Sequence, residues 1–288
     1  MPRIKKPLIV IVGETASGKT DLSINLAKIF GGEIIACDSR TIYKGMRIGT
    51  ASPSDHDRAK VEHHLLNFID PSKPISAADF KIMCKNEIDK INAKNKLPIM
   101  VGGSGLYIDS VIFDYDFNKN NDIKMRDNLK KLAVDQLQDI IIEKKLVPPK
   151  NILNQRHLIS VINNNGNATN TKLIDDCLVI GLRVNRDTLK YRIEKRVNNM
   201  IENGLENETR LLVDKYGWNI EPMKSIGYRE FQAYFDHKIN ITDLKQLLVK
   251  DTINYAKRQK TWFKRNKNIQ WIDKQSEAVD LITSFLNK

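Results

Sequence analysis

Cysteine is scarce in this chain: Cys37, Cys84 and Cys177 are the only three, widely spaced and without a CxxC pair. That excludes a disulfide framework and a cysteine zinc site, and it suits a cytosolic compartment. Long apolar runs are lacking too, and none approaches the ~20 residues of a membrane span. After the basic start MPRIKKP, the run Leu8 to Val12 is too short for a signal-peptide core and enters a glycine loop at once, so it reads as a first strand. Acidic residues are outnumbered, 35 Asp and Glu against 47 Lys and Arg, for a formal charge of +12. Lysines scattered over solvated faces would give the same sum, but the surplus suits a polyanionic partner, most commonly nucleic acid. At 288 residues the chain can form one α/β domain with an insertion, or two small domains.

What is present begins with Gly13, Glu14, Thr15, Ala16, Ser17, Gly18, Lys19 and Thr20, which fill every fixed position of the pattern Gly-x4-Gly-Lys-Ser/Thr. Backbone N–H groups of such a loop wrap a phosphate at a helix start, the lysine adds a positive charge, and the Thr20 hydroxyl can complete a Mg²⁺ shell. The context agrees. A buried strand precedes the loop, and Leu22, Leu26, Ile29 and Phe30 recur at helical spacing until Gly31 and Gly32. The motif specifies a polyphosphate without saying which one.

A second strand, Glu33 to Cys37, delivers Asp38 and Ser39 at its carboxyl end, where ligands of open parallel sheets sit. Asp38 either faces the phosphate loop or caps a turn. Thr41 to Ser54 reads as loop and Leu65 to Ile69 as a further strand. His63 and His64, without a third ligand in view, point to polar contact rather than metal. Ser76 to Ile91 is an amphipathic helix, and the strand Leu97 to Val101 ends in Gly102-Gly103-Ser104-Gly105, a second place where backbone can approach a ligand. Residues 114–171 change character, with helical pieces at Met125 to Leu146 and Gln155 to Ile162 and a loop at Asn163 to Thr171. They read as a small helical insertion in a core formed by 1–113 and 172–288. The core resumes with a strand at Leu178 to Val184, a basic helix or helix pair at Arg186 to Val213, a helix from Leu244 to about Arg265, and an edge strand at Ile269 to Ile272. Near the end of that last helix, Lys257, Lys260, Lys264 and Lys267 form a basic stripe beside Arg258, Tyr255 and Trp262, which suits a phosphate backbone.

Taken in order, the phosphate loop, Asp38-Ser39, Gly102-Gly103-Ser104-Gly105-Leu106-Tyr107, Ile226-Gly227-Tyr228-Arg229 and the run Tyr255 to Trp262 (YAKRQKTW) resemble the tRNA dimethylallyltransferases. The resemblance spans about Leu8 to Trp271. It implies a P-loop NTPase-like parallel sheet flanked by helices, an insertion that contacts the tRNA anticodon stem-loop, dimethylallyl diphosphate as donor, and Mg²⁺ near Thr20. It also implies Asp38 as general base, Lys19 and the loop on the diphosphate, and Ser104, where the family usually has Thr, with its hydroxyl on a diphosphate oxygen. Residues matching the family's tRNA-contacting positions are Asp38, Ser39, Arg40, Thr41, Gln155, Arg156, Arg229, Lys257, Arg258, Gln259, Trp262 and Lys264. Three positions depart from the family pattern: Thr41 replaces a Gln, Ile159 a second Arg of the insertion, and Ile253 an Arg. A cytoplasmic monomer is expected.

The main rival is a small-molecule or nucleotide kinase that uses ATP on the same loop. Against it stand the absence of an obvious arginine-rich lid and the basic, aromatic C-terminal helix. A non-catalytic RNA-binding protein, or a prenyltransferase acting on a free nucleotide, are narrower alternatives.

Overall fold

The computed structural model describes residues 7–117, 128–163 and 172–288. Strands β1 (Leu8–Val12), β2 (Gly32–Cys37), β3 (His63–His64), β4 (Leu97–Gly102), β5 (Cys177–Leu182) and β6 (Ile269–Ile272) form one sheet in the order β3-β2-β4-β1-β5-β6. All five pairings are parallel. Every residue of β1, β2 and β5 is buried, which is why these strands read as continuous apolar runs rather than alternations. On one face Ile9, Ile11, Ile34, Ile99 and Ile180 pack against Leu22 and Leu26 of α1 (Lys19–Phe30) and Ile282 of α11 (Gln275–Leu286). Burying each such side chain contributes roughly 1.5–3 kcal/mol. Helix α1 stops where Gly31 turns left-handed and its N–H bonds the Ala27 carbonyl.

The register places the functional loops. Val12 and Cys37 both lie opposite Gly102, so the segments after β1, β2 and β4 leave the sheet at one level. The phosphate loop, Asp38 and the Gly103-Ser104 turn therefore meet at the carboxyl end of the sheet.

Several elements differ from expectation. Leu65 to Ile69 is not a strand: Leu65 and Asn67 adopt positive φ, and Asn67, Phe68 and Ile69 donate backbone hydrogen bonds to Thr41 and Ile42 instead of joining the sheet. The long basic segment divides at Gly204 into α7 (Arg186–Glu202) and α8 (Leu205–Tyr216). The C-terminal basic helix is α10 (Ile241–Phe263), so Lys264 is its cap and Lys267 lies beyond it. Helices α2 (Asp55–Lys60), α4 (Gly105–Ile112) and α11 were not expected. A short helix, α9 (Phe231–Phe235), follows the Ile226–Arg229 turn.

The chain separates into two compact units, Met1–Ile112 with Leu173–Lys288, and Phe113–Lys172; the insertion read over 114–171 lies within the second. In that unit α5 (Val134–Glu143) and α6 (Gln155–Asn163) enclose a core of Leu129, Leu137, Ile141, Leu158, Ile159 and Ile162. Helix over Met125 to Leu146 is confined, among its described residues, to a short turn and α5. Residues 118–127 and most of the expected loop at 163–171 fall outside the described residues. Among the described residues no helix is long and apolar enough to cross a membrane.

Candidate active site

A cleft of about 680 Å³ opens at the carboxyl end of the sheet. Its lining includes Thr15 to Thr20, Asp38 to Thr41, Gly49 to Ser54 and Lys224 to Gly227. Lys19 donates from Nζ to the carbonyls of Gly13 (3.0 Å) and Glu14 (2.6 Å). Burial, and after it the charge of Arg196, pull its pKa down to about 7, while Asp38 and Glu14 act the other way. Asp38 is shifted upward, chiefly by burial; the Arg40 N–H, at 2.9 Å from Oδ1, and the Lys19 charge partly offset that. A carboxylate shifted upward and an ammonium shifted downward thus share one cleft, the kind of perturbed pair that clusters at functional sites.

Two functional residues were missed in the sequence. Arg192 donates to the Ser17 carbonyl (3.2 Å), and Arg196 to the Thr15 hydroxyl (3.2 Å), so α7 presses a pair of guanidinium groups onto the phosphate loop. The available signal was their i, i+4 spacing on one helix face. The sequence showed no obvious arginine-rich lid, and these two arginines stand beside the phosphate loop.

Gln259 and Ser104 both make hydrogen bonds inside the protein. Gln259 is only 5% exposed; its Oε1 accepts from Thr15 N–H (2.8 Å) and its Nε2 donates to the Gly103 carbonyl (3.0 Å). With both ends used inside the protein, it braces the phosphate loop against the Gly103 turn. Ser104 does not line the cleft. Its Oγ accepts from the Ser39 N–H (2.9 Å), tying the end of β4 to the end of β2. Trp262 is likewise anchored, donating from Nε1 to Asp109 Oδ2 (2.7 Å); burial lifts Asp109 to about 6 despite that bond.

The remaining expected RNA contacts divide. Arg40, Thr41, Arg229 and Arg258 line the cleft, while Lys257 and Lys264 are exposed on α10 outside it. Arg258 lies over the Tyr255 ring (5.7 Å to the centroid) and Arg265 over Trp262 (5.5 Å). Within the second unit Arg156 is exposed, and Gln155 donates to the carbonyls of Lys130 and Leu132. The departures have packing reasons. Ile159 is buried in the second unit's core, Ile253 packs beside Ala16, Leu189 and Ile193, and Thr41 is 7% exposed with an unpartnered hydroxyl. His64 sits between Glu33 (2.7 Å) and Glu87 (3.2 Å), and His63 Nδ1 bonds the Val61 carbonyl (2.7 Å). Glu33, Glu62 and His64 come within reach of one cation, but Lys94 and Lys96 already bond Glu33.

Fold and cleft together define a phosphate-loop α/β protein whose polyphosphate site faces a titratable carboxylate. Residues 41–266 match the family model "IPP transferase". The chain is 36% identical to the tRNA dimethylallyltransferase of Bacillus subtilis, over 98% of this chain and 95% of that protein. It is 37% identical to the tRNA dimethylallyltransferase of Finegoldia magna, over 94% and 92%. Among solved structures it resembles the tRNA isopentenylpyrophosphate transferase of Bacillus halodurans, with a TM-score of 0.78 at 33% identity over 98% of this chain and 97% of the other. A eukaryotic dimethylallyltransferase acting on tRNA matches with a TM-score of 0.77 at 26% identity, over 93% of this chain and 73% of that one. The chain belongs to the IPP transferase family.

Proposed function

We propose that this protein transfers a dimethylallyl group from dimethylallyl diphosphate to N6 of the adenosine 3′ of the anticodon in tRNA, releasing diphosphate. The observation that carries the reading is the shared cleft: Lys19 and the phosphate loop on one wall, Asp38 on the next, and Arg40, Arg229 and Arg258 on the approach. As the donor's C–O bond breaks, charge grows on the departing diphosphate. The N–H groups of Gly13 to Thr20, Lys19 and Arg196 would stabilise it. Adenine N6 is barely basic, so its proton must leave as the new C–N bond forms, and Asp38 receives it. Thr20 lines the same cleft, and its hard oxygen suits Mg²⁺ held largely by the diphosphate and water; when bound, the ion would offset leaving-group charge. The exposed Lys257 and Lys264, with Arg156 of the second unit, would meet the anticodon stem-loop backbone, making binding salt-dependent. Asp38, Ser39, Arg40 and Thr41 would meet the target base, which must leave its stack to reach the donor. We take the protein to act as a cytoplasmic monomer.

The test is incubation of the pure protein with Mg²⁺, dimethylallyl diphosphate and an unmodified anticodon stem-loop, followed by nucleoside mass analysis. A prenyl mass on the adenosine 3′ of the anticodon is the expected result. Absence of that product together with steady ATP consumption on small hydroxyl compounds would replace this reading with a kinase.

A further inference from the structure

Glu208, on α8, takes no part in the chemistry above and does not line the cleft. Its carboxylate accepts from the backbone N–H groups of Arg47 (2.9 Å), Ile48 (2.9 and 3.0 Å) and Gly49 (3.0 Å), and from the Tyr228 hydroxyl (2.7 Å). Three successive N–H groups converging on one anion form a nest, and here the anion is a side chain brought from some 160 residues away. Every partner is a donor, so the position needs an acceptor-only group. A glutamine would turn its NH₂ against at least one of them.

Around this carboxylate two backbone segments touch with no space between them. A methyl on Gly49 would lie 2.5 Å from the Tyr228 ring, and one on Gly227, itself at φ +100°, would lie 2.7 Å from the Gly49 carbonyl oxygen. Tyr228 is fully buried. Both segments run directly into the cleft: Gly49 to Ser54 from one, Lys224 to Gly227 and Arg229 from the other. Neither includes the phosphate loop.

We propose that Glu208 is a positioning residue for the acceptor side of the cleft, fixing the 47–54 loop against the 224–229 turn and so setting the opening through which the RNA base enters. The inference rests on the tRNA prenyl-transfer reading. Glu208 acts on acceptor binding and leaves the donor site alone.

The experiment compares wild type with Glu208→Gln, Glu208→Asp and Tyr228→Phe. The readouts are separate KM values for dimethylallyl diphosphate and an anticodon stem-loop, melting temperature, and hydrogen exchange at the amides of Arg47, Ile48 and Gly49. For Glu208→Gln the expected result is a loss of roughly ten- to hundredfold in kcat/KM for the stem-loop, the usual consequence of a misplaced substrate wall. Donor KM stays within about twofold, and amide exchange quickens at 47–49 but not at 13–20. Glu208→Asp, still acceptor-only, recovers part of the loss. Tyr228→Phe gives a smaller defect that is less than multiplicative with Glu208→Gln. The proposal is overturned if Glu208→Gln keeps wild-type stem-loop kinetics and exchange, or if both KM values and the melting temperature worsen together. Should wild type itself make no prenylated product, the functional reading fails, while exchange at 47–49 still decides whether Glu208 holds the loop.

Discussion

Replacing Gln259 with leucine removes the acceptor for Thr15 N–H and the donor for the Gly103 carbonyl, with little change in volume. The two ends are not equivalent. The Gly103 end is buried, so an unpaired carbonyl there costs about 1–3 kcal/mol, whereas Thr15 borders the cleft, where water can replace the lost partner at about 0.5–1.5 kcal/mol. The sum, roughly 1.5–4.5 kcal/mol, is a large share of a typical folding free energy. Urea unfolding should give a lower midpoint at unchanged slope. Because Thr15 belongs to the phosphate loop, KM for dimethylallyl diphosphate should rise while stem-loop affinity holds. Gly103→Ala tests the same brace from the other side: its methyl would lie 2.1 Å from Gln259 Nε2 and must push the amide out. If Gln259→Leu kept its stability and donor KM but lost stem-loop affinity, the brace would be wrong and Gln259 would be an RNA contact after all.

Lys19, with its pKa near 7, should take up a proton when the donor's diphosphate binds above that pH. Calorimetry at pH 8 in buffers of different ionisation enthalpy measures this, and Lys19→Met should abolish the uptake along with most donor affinity. Asp38 must be ionised to accept a proton, and its pKa lies above the ordinary 3.8, so activity should fall with decreasing pH before a normal aspartate would protonate. Asp38→Asn should lower the chemical rate roughly 10²- to 10⁴-fold with stem-loop binding retained, and normal turnover would remove Asp38 as the base. Glu33 is only 1% exposed; desolvation pushes its pKa up, but hydrogen bonds from Lys96, Lys94 and His64 outweigh that and hold it at about 2, against 4.5 when unperturbed. Its stabilisation, about 3 kcal/mol, is present above pH 4.5 and is lost as pH falls toward 2, so Glu33→Gln should flatten acid unfolding over that window.

The phosphate loop and β1, β2, β4, β5 and β6 were legible in the sequence because their signals are local: a fixed motif and apolar runs bounded by turns. Asp38 was legible because strand ends in a parallel sheet gather ligands. Helix α11 and the true course of 65–69 were not, since one depends on packing beneath the sheet and the other on backbone bonds to Thr41 and Ile42. The bracing by Gln259 was not legible for a related reason: a polar side chain within a basic, exposed stretch gives no sign that both its ends are used inside the fold. Arg192 and Arg196 lay in a segment read only as a basic helix or helix pair, and only the packing of α7 against the phosphate loop separates them from their neighbours.

The arginine pair brings this cleft closer to a kinase than the sequence suggested, so the distinction must come from where the electrophile sits. In phosphoryl transfer the attacked atom is phosphorus, held in the phosphate loop itself, and the acceptor must press up against that loop. In prenyl transfer the attacked carbon lies beyond the diphosphate, and the acceptor needs room further out, beside a base that reaches it there. The cleft of about 680 Å³ is lined by Thr15 to Thr20 and Asp38 and also by Ala51, Ser225 and Arg229, so its walls include residues outside the phosphate loop. On the proposed function, the same Lys19 and arginines that would activate a transferred phosphate would instead stabilise one that departs. On the proposal above, the wall held by Glu208, rather than the phosphate loop, would shape the opening for the acceptor.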